Sequence, residues 1–347
     1  MLTQKQIDEI KEHLEKAQNP VFFFDNDPDG LCSFLLLQRY IERGKGVVIK
    51  SAPNLTVDYF RKVNELNADY VFILDKPEVS EEFFEECHKI NIPVVWIDHH
   101  ETTTKVPKFA NYYNPLLNDG GSYIPTSFLC YQVTGKKEDM WIAVIGCISD
   151  WHVPDFYSDF EKKYPDLGIE SKKMPEIYYE SQLGKIAQLM NAGLKDRTTN
   201  VIRMLKFLMK VKTPYGVLEE SKNNRLMHKR FNYIDGKQRK LIEKAKKVVD
   251  DGRVLFFEYG GELSISTDLA NELKYLYPDK IIVVAYDTGV KVNISLRGKN
   301  VREKLLKVIE GFENATGGGH EEAVGAKIKS EDLGLFRERL LALTRED

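Results

Sequence analysis

Four short clusters of this sequence gather acidic and imidazole side chains that could act together. FFFDNDPDGLCS carries Asp25, Asp27 and Asp29 in a DxDxDG run. YVFILD ends on Asp75, WIDHHE sets Asp98, His99 and His100 side by side, and GCISD ends on Asp150. Three carboxylates on one tight loop repel one another unless a cation lies among them. Carboxylates with one or two imidazoles and no thiolate suit Mn2+ or Mg2+ in octahedral sites, whereas a structural zinc prefers sulfur. A dinuclear pair activates water and stabilises the transition state of phosphoryl displacement. An EF-hand is excluded, because the twelfth position counted from Asp25 is Leu36 and not a bidentate Glu. Taken alone, the first run also reads as an Asp-rich turn capping a helix that starts near Leu31, where acids suit the helix dipole. The DHH triplet alone also reads as a polar turn.

The elements around these clusters decide between the readings. In the first 150 residues, apolar runs rich in β-branched and aromatic residues (21–25, 46–51, 70–75 and 93–98) alternate with helical patterns near 31–43, 56–66 and 80–89. This is βαβ alternation, which predicts a parallel sheet covered by helices on both faces. Three of the four runs end in Asp, and the carboxyl ends of parallel strands are where such folds bind ligands. The acids therefore converge on one edge. TSFLCYQVTG and DMWIAVIGCISDW read as buried helices, the second delivering Asp150. From about 155 to 250 the pattern is helical and lysine-rich. The character changes near Asp250–Asp251–Gly252, after which strand patterns RVLFFEY, KIIVVAYD and VKVNISLRG mix with helices near 267–276, 301–310 and 331–344.

At 347 residues, two domains are the expectation. A 42% hydrophobic, 30% charged composition allows a sizeable core in a soluble chain. There is no apolar run of about 18 residues, the usual threshold for a membrane span. The first residues read as an amphipathic helix capped by Thr3 and not as a signal peptide. Cys32, Cys87, Cys130 and Cys147 show no CxxC spacing and read as reduced residues of a cytoplasmic protein. The net charge of −3 leaves nucleic acid open as a partner, because basic groups cluster locally. Arg225 to Lys247 holds nine Lys or Arg against Asp235 and Glu243, with Phe231 and Tyr233 inside it. That tract reads either as a solvated helix face or as a phosphate-tracking surface with rings for stacking. His152 reads as structural, and His13, His88 and His228 as surface residues.

The ordered set of motifs resembles the DHH phosphoesterase family, in particular its RecJ-like branch. The matching residues are DNDPDG (25–30), LDKP (74–77), DHH (98–100), GCISD (146–150), SLRG (295–298) and GGGHEEAVG (317–325). In size the chain is similar to compact archaeal RecJ-like nucleases, including the Hef-associated nuclease. The resemblance implies a DHH catalytic domain with a helical extension (1–190), a helical connector (191–250) and a smaller α/β DHH-associated substrate-binding domain (251–347), with the active site in the cleft between. It implies two Mn2+ or Mg2+ ions held by Asp25, Asp27, Asp29, Asp75, His99 and Asp150. Asp98 would orient a histidine and His100 would face the scissile phosphate. Arg297 and the glycine-rich loop of Gly317, Gly318, Gly319 and His320 would bind substrate, the glycines letting N–H groups approach a phosphate. Pyrophosphatase-like and nanoRNase-like relatives carry a His four residues before the motif's first Asp; here that place is Phe23 or Val21, which favours the RecJ-like branch. The implied activity is a single-strand-specific exonuclease on DNA or RNA, in DNA repair, with replication or repair proteins as further partners. The rivals are a small-substrate phosphoesterase (oligoribonucleotide, cyclic dinucleotide or phosphoadenosine phosphate) and a non-catalytic replication or repair scaffold.

Overall fold

The computed structural model describes residues 1–51, 53–248 and 252–345. The change of character near Asp250–Gly252 lies, except for Gly252, outside the described residues. The chain divides into two compact units, Met1–Phe231 and Asn232–Asp347.

The first unit opens with α1 (Gln4–Lys16), capped by Thr3 in a reciprocal bond with Gln6. Five parallel strands follow: β1 (Pro20–Asp25), β2 (Lys45–Ile49), β3 (Tyr70–Leu74), β4 (Val94–Ile97) and β5 (Ala110–Tyr113). Their spatial order is β2-β1-β3-β4-β5. The order reverses between β1 and β3, and such a reversal opens a crevice at the carboxyl edge of a doubly wound sheet. Strand residues alternate between two cores, as a period of two requires. Phe22, Phe24, Phe72 and Leu74 face the helices α2 (Pro28–Ile41), α4 (Thr126–Thr134) and α5 (Met140–Ser149). Val21, Phe23, Ile73 and Trp96 face Phe83 and Phe84 of α3 (Glu81–Lys89). Both faces are covered, which explains why the strands read as continuous apolar runs.

Helix α2 begins at Pro28, three residues before the expected start at Leu31. Asp27 is its N-cap, accepting from the Gly30 amide at 2.9 Å, and Pro28 takes the first position, where no N–H is needed. The capping reading of the Asp-rich run therefore holds together with its place at the strand edge. Gly30 is obligatory: a Cβ there would lie 2.7 Å from the Asp25 nitrogen. Gly146 is similar, since a Cβ would meet Ser127 and Cys32 where α5 crosses α4 and α2.

Further helices of this unit include α6 (Met174–Glu180), α7 (Gln182–Leu194) and α8 (Thr198–Leu208); α9 (Arg225–Lys246) runs from it into the second unit. The second unit has strands β6 (Val254–Tyr259), β7 (Ile281–Asp287), β8 (Lys291–Arg297), β9 (Thr316–Gly319) and β10 (Ala323–Lys329), in the order β9-β10-β8-β7-β6. β6 and β7 pair parallel and the rest antiparallel. No described helix is long and apolar enough to cross a membrane. All four cysteines are buried and free.

Candidate metal centre

Register assembles the site. Phe24 pairs with Leu74, and Leu74 with Ile97, so the next residues, Asp25, Asp75 and Asp98, stand at one level of the sheet's carboxyl edge. Asp75 turns sharply there with φ of 58°, a left-handed conformation unusual for a residue with a Cβ and common where function holds it. His99 is buried, with Nε2 3.3 Å from Asp75 and 3.6 Å from Asp150 at the end of α5. Asp29, Asp75, His99, His100 and Asp150 supply two overlapping ligand groups, Asp75–His99–His100 and Asp29–His99–Asp150. Helix α4 aims its N-terminus at Asp29, whose carboxylate accepts from the Thr126 amide at 2.8 Å, the Ser127 amide at 3.0 Å and the Ser127 hydroxyl. Asp98 holds His100, accepting from its Nδ1 at 2.9 Å and its amide at 3.1 Å.

The electrostatics are those of a cation site. Burial raises Asp27 and Asp29 well above the usual carboxylate range, and the charge of Asp75 adds to it. Burial likewise pushes Asp150 up to about 6. Burial opposes charge on Asp75 too, yet the two imidazoles hold it below its ordinary value. For His99 burial disfavours the imidazolium, but Asp75 and Asp150 outweigh it and push its pKa up to about 10. Neither nitrogen of the buried His99 ring has a partner in hydrogen-bonding geometry among the described residues. A buried imidazole that approaches carboxylates without settling into a hydrogen bond is, with them, the donor set of a hard divalent cation, and no cysteine is in either ligand group.

Asp25 is engaged differently from the other acids. Its carboxylate pairs at 2.8 Å with Lys76, whose side chain is 1% exposed and also donates to the Ser51 carbonyl at 2.7 Å. The LDKP motif on its own gives Lys76 no role. The one signal for it was a lysine directly behind a strand-end acid. Thr126 and Ser127 were missed as well, because hydroxyls opening an apolar helix look like ordinary caps. Trp151, next to Asp150, is 41% exposed at a φ of 57°, and its ring stacks on Tyr178 of α6 at 6.0 Å. His152 packs edge-on against Phe128. His88 is exposed, as expected. His228, expected at the surface, is buried and bonds the Val217 carbonyl at 2.9 Å, because its helix face meets the core. His13 is half-buried against the Tyr70 hydroxyl.

In the second unit the GGGH segment is not a loop. Gly317, Gly318 and Gly319 form edge strand β9, and His320 lies in the turn into β10. An edge strand leaves alternate N–H groups outside the ladder. Arg297 pairs in register with Ala323, beside that turn. Its Nε donates to Asn271 at 2.6 Å and its Nη1 to the Leu296 carbonyl at 2.7 Å, so part of its fork is engaged by the protein. The basic tract forms α9, and Phe231, partly buried, packs against the first unit's core. Arg239 pairs with Asp235 and Lys246 with Glu243, so part of the tract's charge is matched along the helix.

A mononuclear or dinuclear divalent-metal site on a doubly wound sheet, followed by a small mixed-sheet unit, defines the class of protein. The chain belongs to the DHH phosphoesterase family of metal-dependent hydrolases: residues 21–157 match the DHH family, N-terminal domain, and residues 251–346 the DHHA1 domain. No curated protein matches the sequence. The fold is similar to RecJ of Thermus thermophilus in complex with Mn2+, with a TM-score of 0.72 at 15% identity over 99% of this chain and 54% of that one. The chain thus spans about half the length of that RecJ. It is also similar to an exonuclease RecJ bound to manganese, with a TM-score of 0.65 at 14% identity over 99% of this chain and 94% of that one. A pGpG-specific phosphodiesterase from Vibrio has a TM-score of 0.51 at 13% identity, over 95% of this chain and all of that one. At such identities the likeness is one of fold. Thermus RecJ has also been solved with Mg2+.

Proposed function

We propose that this chain is a Mn2+- or Mg2+-dependent phosphodiesterase that removes nucleotides from the end of a single strand. The observation that carries the reading is the buried His99, whose ring makes no hydrogen bond in good geometry among the described residues while Asp29, Asp75 and Asp150 crowd it, Nε2 lying 3.3 Å from Asp75 and 3.6 Å from Asp150. In this reading those four residues hold the ions, with Asp27 and Asp25 flanking them. When bound, two such ions supply an activated water and neutralise charge building on the phosphoryl oxygens. His100 does the protein's own work on the phosphate. Asp98 fixes its Nδ1, which leaves Nε2 to meet a phosphoryl oxygen, and burial is overcome by Asp98 and Asp75 to raise its pKa and favour the charged, donating form. Lys76 neutralises Asp25 and fixes it against the strand edge. The αL turn at Asp75 and the amides of α4 hold two carboxylates in place before any cation arrives. Arg297, the β9 edge and His320 act as the substrate-binding part of the second unit.

Single-stranded nucleic acid is favoured over a bare phosphoester by Trp151. It lies next to Asp150 and shows an exposed ring where an unpaired base can stack. The test uses end-labelled single-stranded DNA and RNA with Mn2+, products being followed from each end. Asp75→Asn is the control, because Asn tolerates the left-handed backbone and retains the fold. Its turnover should fall to background. Turnover near that of the unaltered protein would remove Asp75 from the site, and uncut strands with the unaltered protein would reject the nuclease reading.

A further inference from the structure

Outside the metal centre, the first unit carries a basic basin. A cavity of about 710 Å3 lies between α8 and the segment entering α9. Arg203, Lys206, Lys210, Lys222 and Arg225 line it, with no acidic side chain among the lining residues. Among the described residues none of the five makes an ion pair or a side-chain hydrogen bond, whereas most exposed lysines elsewhere on this chain that pair do so with an acid three or four residues away. Leaving five cations unmatched in one concavity of a chain with net charge −3 raises a local positive potential that only an anion relieves.

The basin is rigidly tied to the catalytic core. Met204 and Met227 on its floor belong to the same apolar cluster as α2 and α5. Arg39 of α2 pairs with Asp139 and donates to the carbonyls of Leu208 and Val211, which fixes the end of α8. Arg203 and Lys206 lie three residues apart on α8, about 4.5 Å apart in rise, and Lys210 follows in the turn just past its end. Phe207, half-buried and packed on the core on one side, adds an aromatic side chain to the lining. Lys206 also lines a neighbouring cavity of about 420 Å3 along edge strand β2, together with Lys45, Lys50, Arg61 and Tyr59. That row reaches Lys50, and the carbonyl of the next residue, Ser51, receives the lysine that pairs with Asp25. The row thus ends one residue in sequence from a group that holds the Asp25 partner of the metal centre.

We propose that the basin and the row along β2 form an accessory binding site for the phosphate backbone of a nucleic-acid strand, away from the bond that is cut. A line of cations with an interleaved aromatic surface fits a phosphate chain carrying bases. The proposal rests on the single-strand reading above, since that reading supplies the strand. The charges come from four separate segments, and the site holds the strand without reading its sequence.

The experiment measures binding without turnover. The full chain, free of divalent ions, is titrated with a fluorescent oligothymidylate of about twenty nucleotides at several salt concentrations, and the charge reversal K206E/K210E is compared; a loss of about tenfold or more in affinity is expected, with a salt slope shallower by about 1.4, from two lost phosphate contacts. Thermal melting and circular dichroism verify that the variant is folded, and K206A/K210A, with a smaller effect in the same direction, replaces it if it is not. Unchanged affinity and slope in a folded variant overturn the proposal. So does a variant that loses affinity for polyglutamate but not for the oligonucleotide, which would make the basin a dock for an acidic protein. Because no cleavage is required, the absence of nuclease activity would reject the function proposed above without deciding this result.

Discussion

At the residue scale the site is a set of ionisable groups kept in unfavourable surroundings by specific partners. His99 states this most directly. Without metal its pKa rises to about 10, because Asp75 and Asp150 outweigh burial. A raised histidine pKa adds stability that is fully present below the ordinary value near 6.5 and is lost as pH rises through about 10. A cation needs the neutral ring, so binding must expel the proton. Mn2+ affinity should therefore climb with pH across the neutral range, and calorimetry in buffers of different ionisation enthalpy should register at least one proton released, since Asp29 and Asp150 are raised as well. Affinity independent of pH would mean that His99 is not a ligand. Lys76 gives a second prediction at this scale. Removing one partner of a buried pair leaves the other charge stranded, at a cost of about 3 kcal/mol or more. Lys76→Met should lower the urea midpoint of the metal-free protein accordingly, and adding Asp25→Asn should restore most of the loss. A midpoint that does not move would show that the pair does not matter to the fold. The sequence disclosed the acids because their types and order are chemical. It did not disclose Lys76, because a buried lysine is identified only by what surrounds it.

At the level of elements, alternation made the sheet legible, and the strand edges made the site legible. Strands buried on both faces have few alternative readings when each run ends in an acid. The start of α2 was missed by three residues because Pro28 and Asp29 look like turn residues, yet they are the first turn of a helix capped by Asp27. GGGH looked like a loop because glycine runs carry no strand propensity, and pairing with β10 overrides that preference. Space around each glycine separates the two motifs experimentally. A methyl at Gly30 would press on the Asp25 backbone at 2.7 Å, whereas one at Gly318 meets nothing within 4 Å. Gly30→Ala should destabilise the chain by about 1–3 kcal/mol and weaken Mn2+ binding, since β1 and α2 must part. Gly318→Ala should leave both thermal melting and Mn2+ binding unchanged. Equal effects from the two substitutions would refute the close-approach argument for Gly30.

For the whole molecule, composition gave little and the folded surface gives more. A net charge of −3 conceals a path of unpaired cations, because Arg203, Lys206 and Lys210 meet Lys222 and Arg225 only after folding. Sequence reading left the denser tract of α9 open as a phosphate-tracking surface or a solvated face, and there intrahelical pairs neutralise part of the charge. The distinction matters for substrate length. A dinucleotide can engage the metal centre and Trp151 but has too few phosphates to reach along the cationic row. A longer strand adds phosphate contacts, and each one neutralised releases counterions and steepens the salt dependence by about 0.7 in the logarithmic slope. kcat/KM measured on single strands from two to about twelve nucleotides should rise with length and then level off, the rise being lost at high salt. Trp151→Ala should lower kcat/KM on every member of the ladder by a similar factor, because it acts at the scissile end, whereas K206E/K210E should penalise only the longer strands. A flat ladder without a salt effect would assign the metal centre to a small phosphoester substrate and leave the cations on a solvated face.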